Sequence, residues 1–130
     1  MIEAATTPNA PVVVIVDDDE GIRAALARLV RTIGYLPRTF ASREALLLEI
    51  DDVRPACVLT DIQMPVMNGL DLAKELLVRR PDLPIMVMTA YPSLANRELA
   101  LAAGALEFLT KPLDDDRLET WLVRVIGKPH

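Results

Sequence analysis

Four short, mostly apolar runs and one weaker segment, residues 36–40, alternate along the chain with five stretches in which apolar residues recur at helical spacing. Continuous runs of β-branched and other apolar residues are typical of buried parallel strands, and a spacing of three or four residues is typical of amphipathic helices. The predicted strands are residues 12–16, 36–40, 56–60, 85–89 and 105–110. This alternation favours a parallel sheet with helices on both faces.

Residues that commonly begin or end helices lie between the strands. Gly34 and Gly127 follow the first and last helical stretches, where glycine is a preferred terminator. Ser42 can cap the second helix, which we expect to run to about residue 50. The fourth helix is predicted from about residue 93 to residue 103.

The order of the strands follows from one proline. Pro37, in the second strand, has no backbone N–H and therefore favours the edge of a sheet. With right-handed crossovers, this predicts a flavodoxin-like (βα)5 three-layer sandwich with strand order 2-1-3-4-5. We predict one domain over 12–127, a disordered N-terminal lead-in over 1–11 and a short tail over 128–130.

Charge and composition argue against several classes of function. The net charge is −5 and no basic stripe is present, which argues against direct nucleic-acid binding. The apolar runs are too short for a membrane span, and the N-terminus lacks the layout of a signal peptide. Cys57, the only cysteine, suits a reducing cytoplasm. His130 is the only histidine, so a histidine-based triad or zinc site is excluded.

Polar residues follow four of the predicted strands at their carboxyl ends, where open α/β sheets bind ligands. They are the acidic segment 17–20 after the first strand, Asp61 after the third, Thr89 at the end of the fourth and Lys111 after the fifth. Carboxylates that converge in a crevice repel one another unless a cation lies among them. Because the donors are oxygens, the preferred ion is Mg²⁺.

These residue types fit phosphoryl transfer. A metal ion would neutralise an incoming phosphate, and an Asp nucleophile would form an aspartyl-phosphate. Lys111 and the Thr89 hydroxyl would bind the remaining phosphoryl oxygens and stabilise the developing charge.

Four segments resemble the signature blocks of the receiver domains of two-component response regulators. They are IVDDD (15–19), TDIQMPVMNG (60–69), MTA (88–90) and LTKP (109–112). Each block lies at its own predicted strand end and in the family's order, and the resemblance covers roughly residues 11–127. It implies that Asp61 is the phosphoacceptor. It also implies that Asp18 binds Mg²⁺ directly, Asp17 mainly through water and Gln63 through its backbone carbonyl.

The resemblance also implies a conformational switch. Thr89 moves toward the phosphoryl group, and Phe108, the switch aromatic, turns inward. The Lys111–Pro112 peptide bond is expected to be cis. The surface that responds is formed by the fourth helix, the fifth strand and the fifth helix. Leu99, on the fourth helix, is expected to point at least partly outward.

The implied partner is a histidine kinase or a phosphotransfer protein, and a homodimer through the surface of the fourth helix, fifth strand and fifth helix is a further candidate. The resemblance implies a cytoplasmic signalling domain that catalyses only its own phosphorylation and autodephosphorylation. We expect a stand-alone domain.

Three other interpretations remain open. One is the excised input domain of a larger DNA-binding regulator. Another is a phosphatase or phosphotransferase with an Asp nucleophile, although Gln63 lies two residues beyond Asp61, where such enzymes need a general acid. The third is a pseudo-receiver that only docks proteins, against which the complete acid set argues.

Overall fold

The computed structural model describes residues 10–62 and 69–127, and within them five strands alternate with five helices. The strands are β1 (Val12–Val16), β2 (Leu36–Phe40), β3 (Cys57–Asp61), β4 (Ile85–Thr89) and β5 (Glu107–Thr110). The helices are α1 (Glu20–Ile33), α2 (Arg43–Val53), α3 (Gly69–Arg79), α4 (Leu94–Ala102) and α5 (Asp115–Ile126). None of the helices in these two ranges is both long and apolar enough to cross a membrane.

The strands form one parallel sheet in the order β2-β1-β3-β4-β5, which confirms the predicted flavodoxin-like fold. Pro37 lies on the edge strand β2, opposite Val13 of β1. The direction in which successive strands are added to the sheet therefore reverses between β1 and β3, which are neighbours. In sheets of this kind the carboxyl ends of the two strands at that point open a crevice.

Alternate residues of β1 pack against the two helical layers. Val13 and Ile15 belong to a core that includes residues of α1 and α5, whereas Val14 and Val16 belong to one that includes residues of α2 and α3. All four side chains are fully buried. Full burial of a side chain of this size contributes about 1.5–3 kcal/mol, so β1 is firmly held from both sides.

Local chemistry explains where the helices begin. Asp19, Ser42, Ser93 and Asp114 cap α1, α2, α4 and α5 by accepting hydrogen bonds from backbone N–H groups of the first turn. Such a cap satisfies a donor that has no partner inside the helix. The predicted cap Ser42 is therefore confirmed.

Three predicted boundaries differ from the structure. α2 continues to Val53, because Ile50 and Val53 are both buried, and it ends at Arg54 in a left-handed conformation. β3 is displaced by one residue, because Asp61 still pairs with Met88 of β4. β5 begins at Glu107 rather than at residue 105.

The structure describes only part of the predicted terminal segments. Residues 1–9 and 128–130 lie outside the described ranges. Ala10 is buried, and the Pro11 carbonyl accepts a hydrogen bond of 2.9 Å from the N–H of Leu36.

Candidate functional site

Asp17, directly after β1, has a hydrogen-bond partner at each of its polar groups. Its N–H donates to the Phe40 carbonyl at 3.2 Å, and its own carbonyl accepts from Arg23 Nη1 at 2.7 Å. Its Oδ1 accepts from the Asp19 N–H at 2.9 Å, and its Oδ2 accepts from Lys111 Nζ at 2.6 Å. A fully buried carboxylate needs such partners to offset the loss of water. Asp17 is therefore held in a single orientation.

Asp17, Asp18 and Asp61, which we call the acid cluster, meet at the crevice. One carboxylate oxygen from each residue lies within 4.8 Å of the others. Asp61, the last residue of β3, is 6% exposed, whereas Asp18 is exposed. The three acids that the sequence analysis assigned to this edge are thus brought together.

Lys111 bridges two members of the acid cluster. Its Nζ lies 2.6 Å from Asp17 Oδ2 and 3.2 Å from Asp61 Oδ2, and its side chain is 12% exposed. Burial alone would lower the pKa of Lys111. The hydrogen bond to Asp17 and the negative charges of Asp61 and Asp17 outweigh burial and raise this pKa above its ordinary value. Lys111 is therefore a permanent cation at neutral pH. The Lys111–Pro112 peptide bond is cis, as predicted.

Thr89 ends β4 and is fully buried. Its hydroxyl accepts a hydrogen bond of 3.0 Å from the N–H of Tyr91, and its carbonyl accepts one of 2.8 Å from the N–H of Lys111. In the register of β3 and β4, Asp61 lies opposite Met88, one residue before Thr89. The hydroxyl thus lies at the edge of the sheet that holds the acid cluster.

Phe108 lies on β5 and is 9% exposed. It forms a small apolar cluster with Ile62, Val87, Ala100 and Ala105. The aromatic ring therefore packs in the interior, between the sheet and α4.

The donor set fits a hard divalent cation. Carboxylate oxygens are the ligands that Mg²⁺ prefers, and three carboxylates opposite one ammonium leave a net negative charge at the crevice. Asp18 is exposed and accepts no hydrogen bond from the described residues, so its oxygens can bind an ion. Gln63, the fourth predicted ligand, lies outside the described residues.

Arg23 is a contact residue that the sequence analysis did not identify. It belongs to α1 and reaches back to the carbonyl of Asp17. The signal available in the sequence was a basic residue near a helix N-terminus, where the helix dipole disfavours positive charge. No pattern in the sequence indicates which carbonyl it would contact.

Comparison with known sequences identifies close similarity over most of the chain. A family model described as "Response regulator receiver domain" matches residues 13–122. The response regulator protein TmoT of Ectopseudomonas mendocina is 35% identical over 107 residues, which are 82% of this chain and 49% of TmoT. The chain therefore spans about half the length of this relative.

Solved structures show the same architecture. The chemotaxis protein CheY4 of Vibrio cholerae superposes with a TM-score of 0.84 at 28% identity, over 89% of this chain and 98% of CheY4. The beryllofluoride-activated NtrC4 receiver domain dimer has a TM-score of 0.83 at 26% identity, over 88% of this chain and 95% of that chain.

Proposed function

This chain belongs to the family of response regulator receiver domains, and from that premise we propose that it accepts a phosphoryl group on Asp61. The observation that supports the proposal is the position of Asp61 at the end of β3, with its carboxylate 3.2 Å from Lys111 and within 4.8 Å of Asp17 and Asp18. A nucleophile, a fixed cation and two further carboxylates share one crevice. This is the arrangement that phosphoryl transfer to a carboxylate requires.

The transfer forms one bond and breaks one. An Asp61 carboxylate oxygen attacks the phosphorus, an O–P bond forms, and the P–N bond of a phosphohistidine breaks. Lys111 Nζ pairs with a phosphoryl oxygen, and the Thr89 hydroxyl donates a hydrogen bond to another. Lys111 is already directed at Asp61, so the ammonium needs little movement to contact the product.

The acid cluster divides into two kinds of metal ligand. Bound Mg²⁺ would neutralise the phosphoryl oxygens and orient the phosphorus for attack. Both oxygens of Asp17 already accept hydrogen bonds, from the Asp19 N–H and from Lys111, which favours contact through water. Asp18 is exposed and favours direct contact. The Gln63 carbonyl and Asp61 complete the proposed set.

The signal would be transmitted to a partner through the α4-β5-α5 face, the surface formed by these three elements. Ala100 is the only buried residue of α4, so few contacts hold this helix, and Phe108 packs in the same cluster as Ala100. A movement of Thr89 toward the phosphoryl group and a shift of Phe108 would therefore change how α4 packs. Exposed leucines would allow a partner to contact the changed surface. They are Leu94, Leu99 and Leu101 on α4, and Leu106 before β5.

The proposed partners follow from this chemistry. The phosphoryl donor is a histidine kinase or a phosphotransfer protein, and the receiver is a signalling domain that catalyses only its own phosphorylation and dephosphorylation. A second copy can bind the α4-β5-α5 face, and the beryllofluoride-activated NtrC4 receiver domain, which has the same architecture, is a dimer. The net charge of −5 argues against direct nucleic-acid contact. The buried thiol of Cys57 is compatible with a cytoplasmic location.

A test of the proposal measures intact mass after incubation with acetyl phosphate and Mg²⁺. We expect one added phosphoryl group that is stable in acid and labile in base. Asp61→Asn should abolish it. Asp82→Asn, an exposed position before β4 at the opposite edge of the sheet, should not change it. Undiminished labelling of Asp61→Asn would refute the assignment.

The length of the relatives supports a second candidate, in which this unit is the input domain of a longer regulator. The chemistry at Asp61 is the same in both cases. An enzyme acting on small phosphate esters differs from both, because it would turn over a generic phosphate ester many times per protein molecule. Labelling by acetyl phosphate without turnover of the ester favours the receiver.

A further inference from the structure

Arg23 connects the first turns of α1 to the β1–α1 loop, residues 17–19. Its Nη1 donates a hydrogen bond of 2.7 Å to the backbone carbonyl of Asp17. Its own N–H donates to the Asp19 carbonyl at 3.0 Å. The side chain is partly buried. One residue therefore holds both ends of the loop from which two members of the acid cluster project.

The carbonyl that Arg23 contacts belongs to the peptide group shared by Asp17 and Asp18. Asp17 has further anchors, because its N–H donates to Phe40 and its side chain is paired with Lys111. The exposed side chain of Asp18 accepts no hydrogen bond from the described part of the chain. The direction in which Asp18 projects is therefore set by its backbone, and the Arg23 contact fixes that backbone.

We propose that Arg23 is a positioning residue for the acid cluster, which holds Asp18 in the geometry that binds a divalent cation. This inference rests on the proposed function, since it concerns the Mg²⁺ site of the same crevice. Residues that orient metal ligands through hydrogen bonds affect metal affinity strongly, although they do not touch the ion.

Charge and position predict opposite effects at this residue. A guanidinium beside the acid cluster repels a divalent cation, so if charge alone mattered, its removal would strengthen Mg²⁺ binding. If Arg23 positions Asp18, its removal weakens Mg²⁺ binding despite the more negative crevice. The sign of the change therefore distinguishes the two roles.

The experiment compares the wild-type chain with Arg23→Met, Arg23→Lys and Arg31→Met. Arg31 lies in the last turn of the same helix and is exposed, so Arg31→Met makes the same change of net charge away from the loop. Calorimetric titration gives the Mg²⁺ dissociation constant. Labelling by acetyl phosphate at increasing Mg²⁺ gives the half-saturating concentration and, separately, the rate at saturation.

We expect Arg23→Met to weaken Mg²⁺ binding about tenfold. Its labelling rate at saturating Mg²⁺ should stay near that of the wild type, because Asp61, Thr89 and Lys111 are unchanged. The Mg²⁺ affinity of Arg23→Lys, which keeps the charge and a donor group, should lie between those of the wild type and Arg23→Met. The affinity of Arg31→Met should match that of the wild type. If thermal unfolding shows that Arg23→Met does not fold, Arg23→Gln replaces it with the same expected direction.

The positioning role of Arg23 and the proposed function would be refuted by different results. Unchanged or tighter Mg²⁺ binding by Arg23→Met, with a wild type that binds Mg²⁺ and is labelled, would remove the positioning role and leave the proposed function intact. A wild type that neither binds Mg²⁺ nor takes a phosphoryl group would refute the proposed function itself.

Discussion

Asp18 differs from the other two residues of the acid cluster because it is the exposed member. Asp17 and Asp61 each face Lys111, whereas the described residues give Asp18 no hydrogen bond. Its carboxylate therefore adds negative charge to the crevice without a fixed partner in the described residues. Such a group favours cation binding at the expense of the stability of the metal-free protein.

We predict that Asp18→Ala abolishes Mg²⁺ binding and phosphorylation while the protein stays folded. Its melting temperature without Mg²⁺ should be slightly higher than that of the wild type, because repulsion among the acids is relieved. Titration calorimetry and thermal unfolding with and without Mg²⁺ measure both effects. Asp82→Ala removes an exposed carboxylate elsewhere and serves as the control. Unchanged Mg²⁺ affinity would mean that Asp18 is not a ligand.

Cys57, the first residue of β3, provides a second prediction for a single residue. Burial raises the pKa of its thiol from 9.0 to about 12. The thiolate is the reactive form, so an alkylating reagent should leave the folded protein unlabelled and label it on unfolding. The labelling rate should follow the opening of the sheet, and mass spectrometry at increasing urea concentration measures it. Rapid labelling without denaturant would contradict the burial of β3.

The same shift has a consequence for stability at high pH. Above pH 9.0 the thiol of the unfolded chain ionises, whereas the folded thiol stays protonated up to about 12. Stability is therefore lost as the pH rises from about 9 toward 12. At pH 10 the loss is about 1 kcal/mol. Urea denaturation from pH 7 to pH 10 should show a smaller decrease for Cys57→Ala than for the wild type.

At the scale of elements, α3 packs against the turn that follows α4. Gly104 has a φ of +103°, and a Cβ added to it would lie 2.2 Å from Leu77 Cδ1. A residue with a side chain would therefore suffer both backbone strain and a collision. The close approach of Leu77 depends on glycine at this position.

We predict that Gly104→Ala lowers the free energy of unfolding by about 0.5–1.5 kcal/mol beyond the effect of Gly127→Ala, because the Leu77 side chain must leave its preferred rotamer to make room. Gly127 has a similar φ of +102° but no atom within 4 Å of the added Cβ, so it isolates the backbone strain. Chemical denaturation of the two variants gives the difference. Equal losses would show that Leu77 moves aside at no cost.

The sequence predicts an element well where the spacing of its apolar residues and its composition indicate the same type of element. β1 and β4 are continuous apolar runs, and both have the predicted bounds. The predicted start of β5 is wrong because the N–H of Ala105 donates a hydrogen bond to the Ala100 carbonyl near the end of α4. A pattern of apolar residues does not indicate this contact. The predicted end of α2 is also wrong, since the helix continues to Val53, which is buried.

The candidate site was predictable only in part. Strand ends and their order bring Asp17, Asp61 and Lys111 to one crevice, and these inferences require no side-chain geometry. Which carboxylates Lys111 would pair with depends on the distances between its Nζ and their oxygens. The contact of Arg23 with a backbone carbonyl depends on the path of the β1–α1 loop. Neither quantity is encoded in spacing along the chain.

At the scale of the whole molecule, the α4-β5-α5 face presents apolar surface beyond the core. Leu99 is 55% exposed, which confirms the sequence prediction. An exposed leucine can contribute to a contact surface, and a symmetric dimer through this side of α4 would bury Leu99 on both protomers. We expect phosphorylation to favour the dimer by shifting an equilibrium between two states.

We predict that beryllofluoride, which mimics the phosphorylated aspartate, strengthens self-association. Leu99→Glu should weaken that association and leave phosphorylation intact. Leu48→Glu, at an equally apolar position on α2 that is 85% exposed, should not change it. Sedimentation at several protein concentrations measures the association. Equal values for treated, untreated and Leu99→Glu samples would show that this face does not mediate self-association.

The pairing of Lys111 with Asp17 joins residues that are 94 positions apart in the chain. During synthesis the three acids leave the ribosome long before the lysine does. A nascent chain that has emerged only as far as β4 holds the acids without the ammonium that pairs with two of them. The acids and the ammonium that the proposed phosphoryl transfer needs are therefore together only after Lys111 has been made.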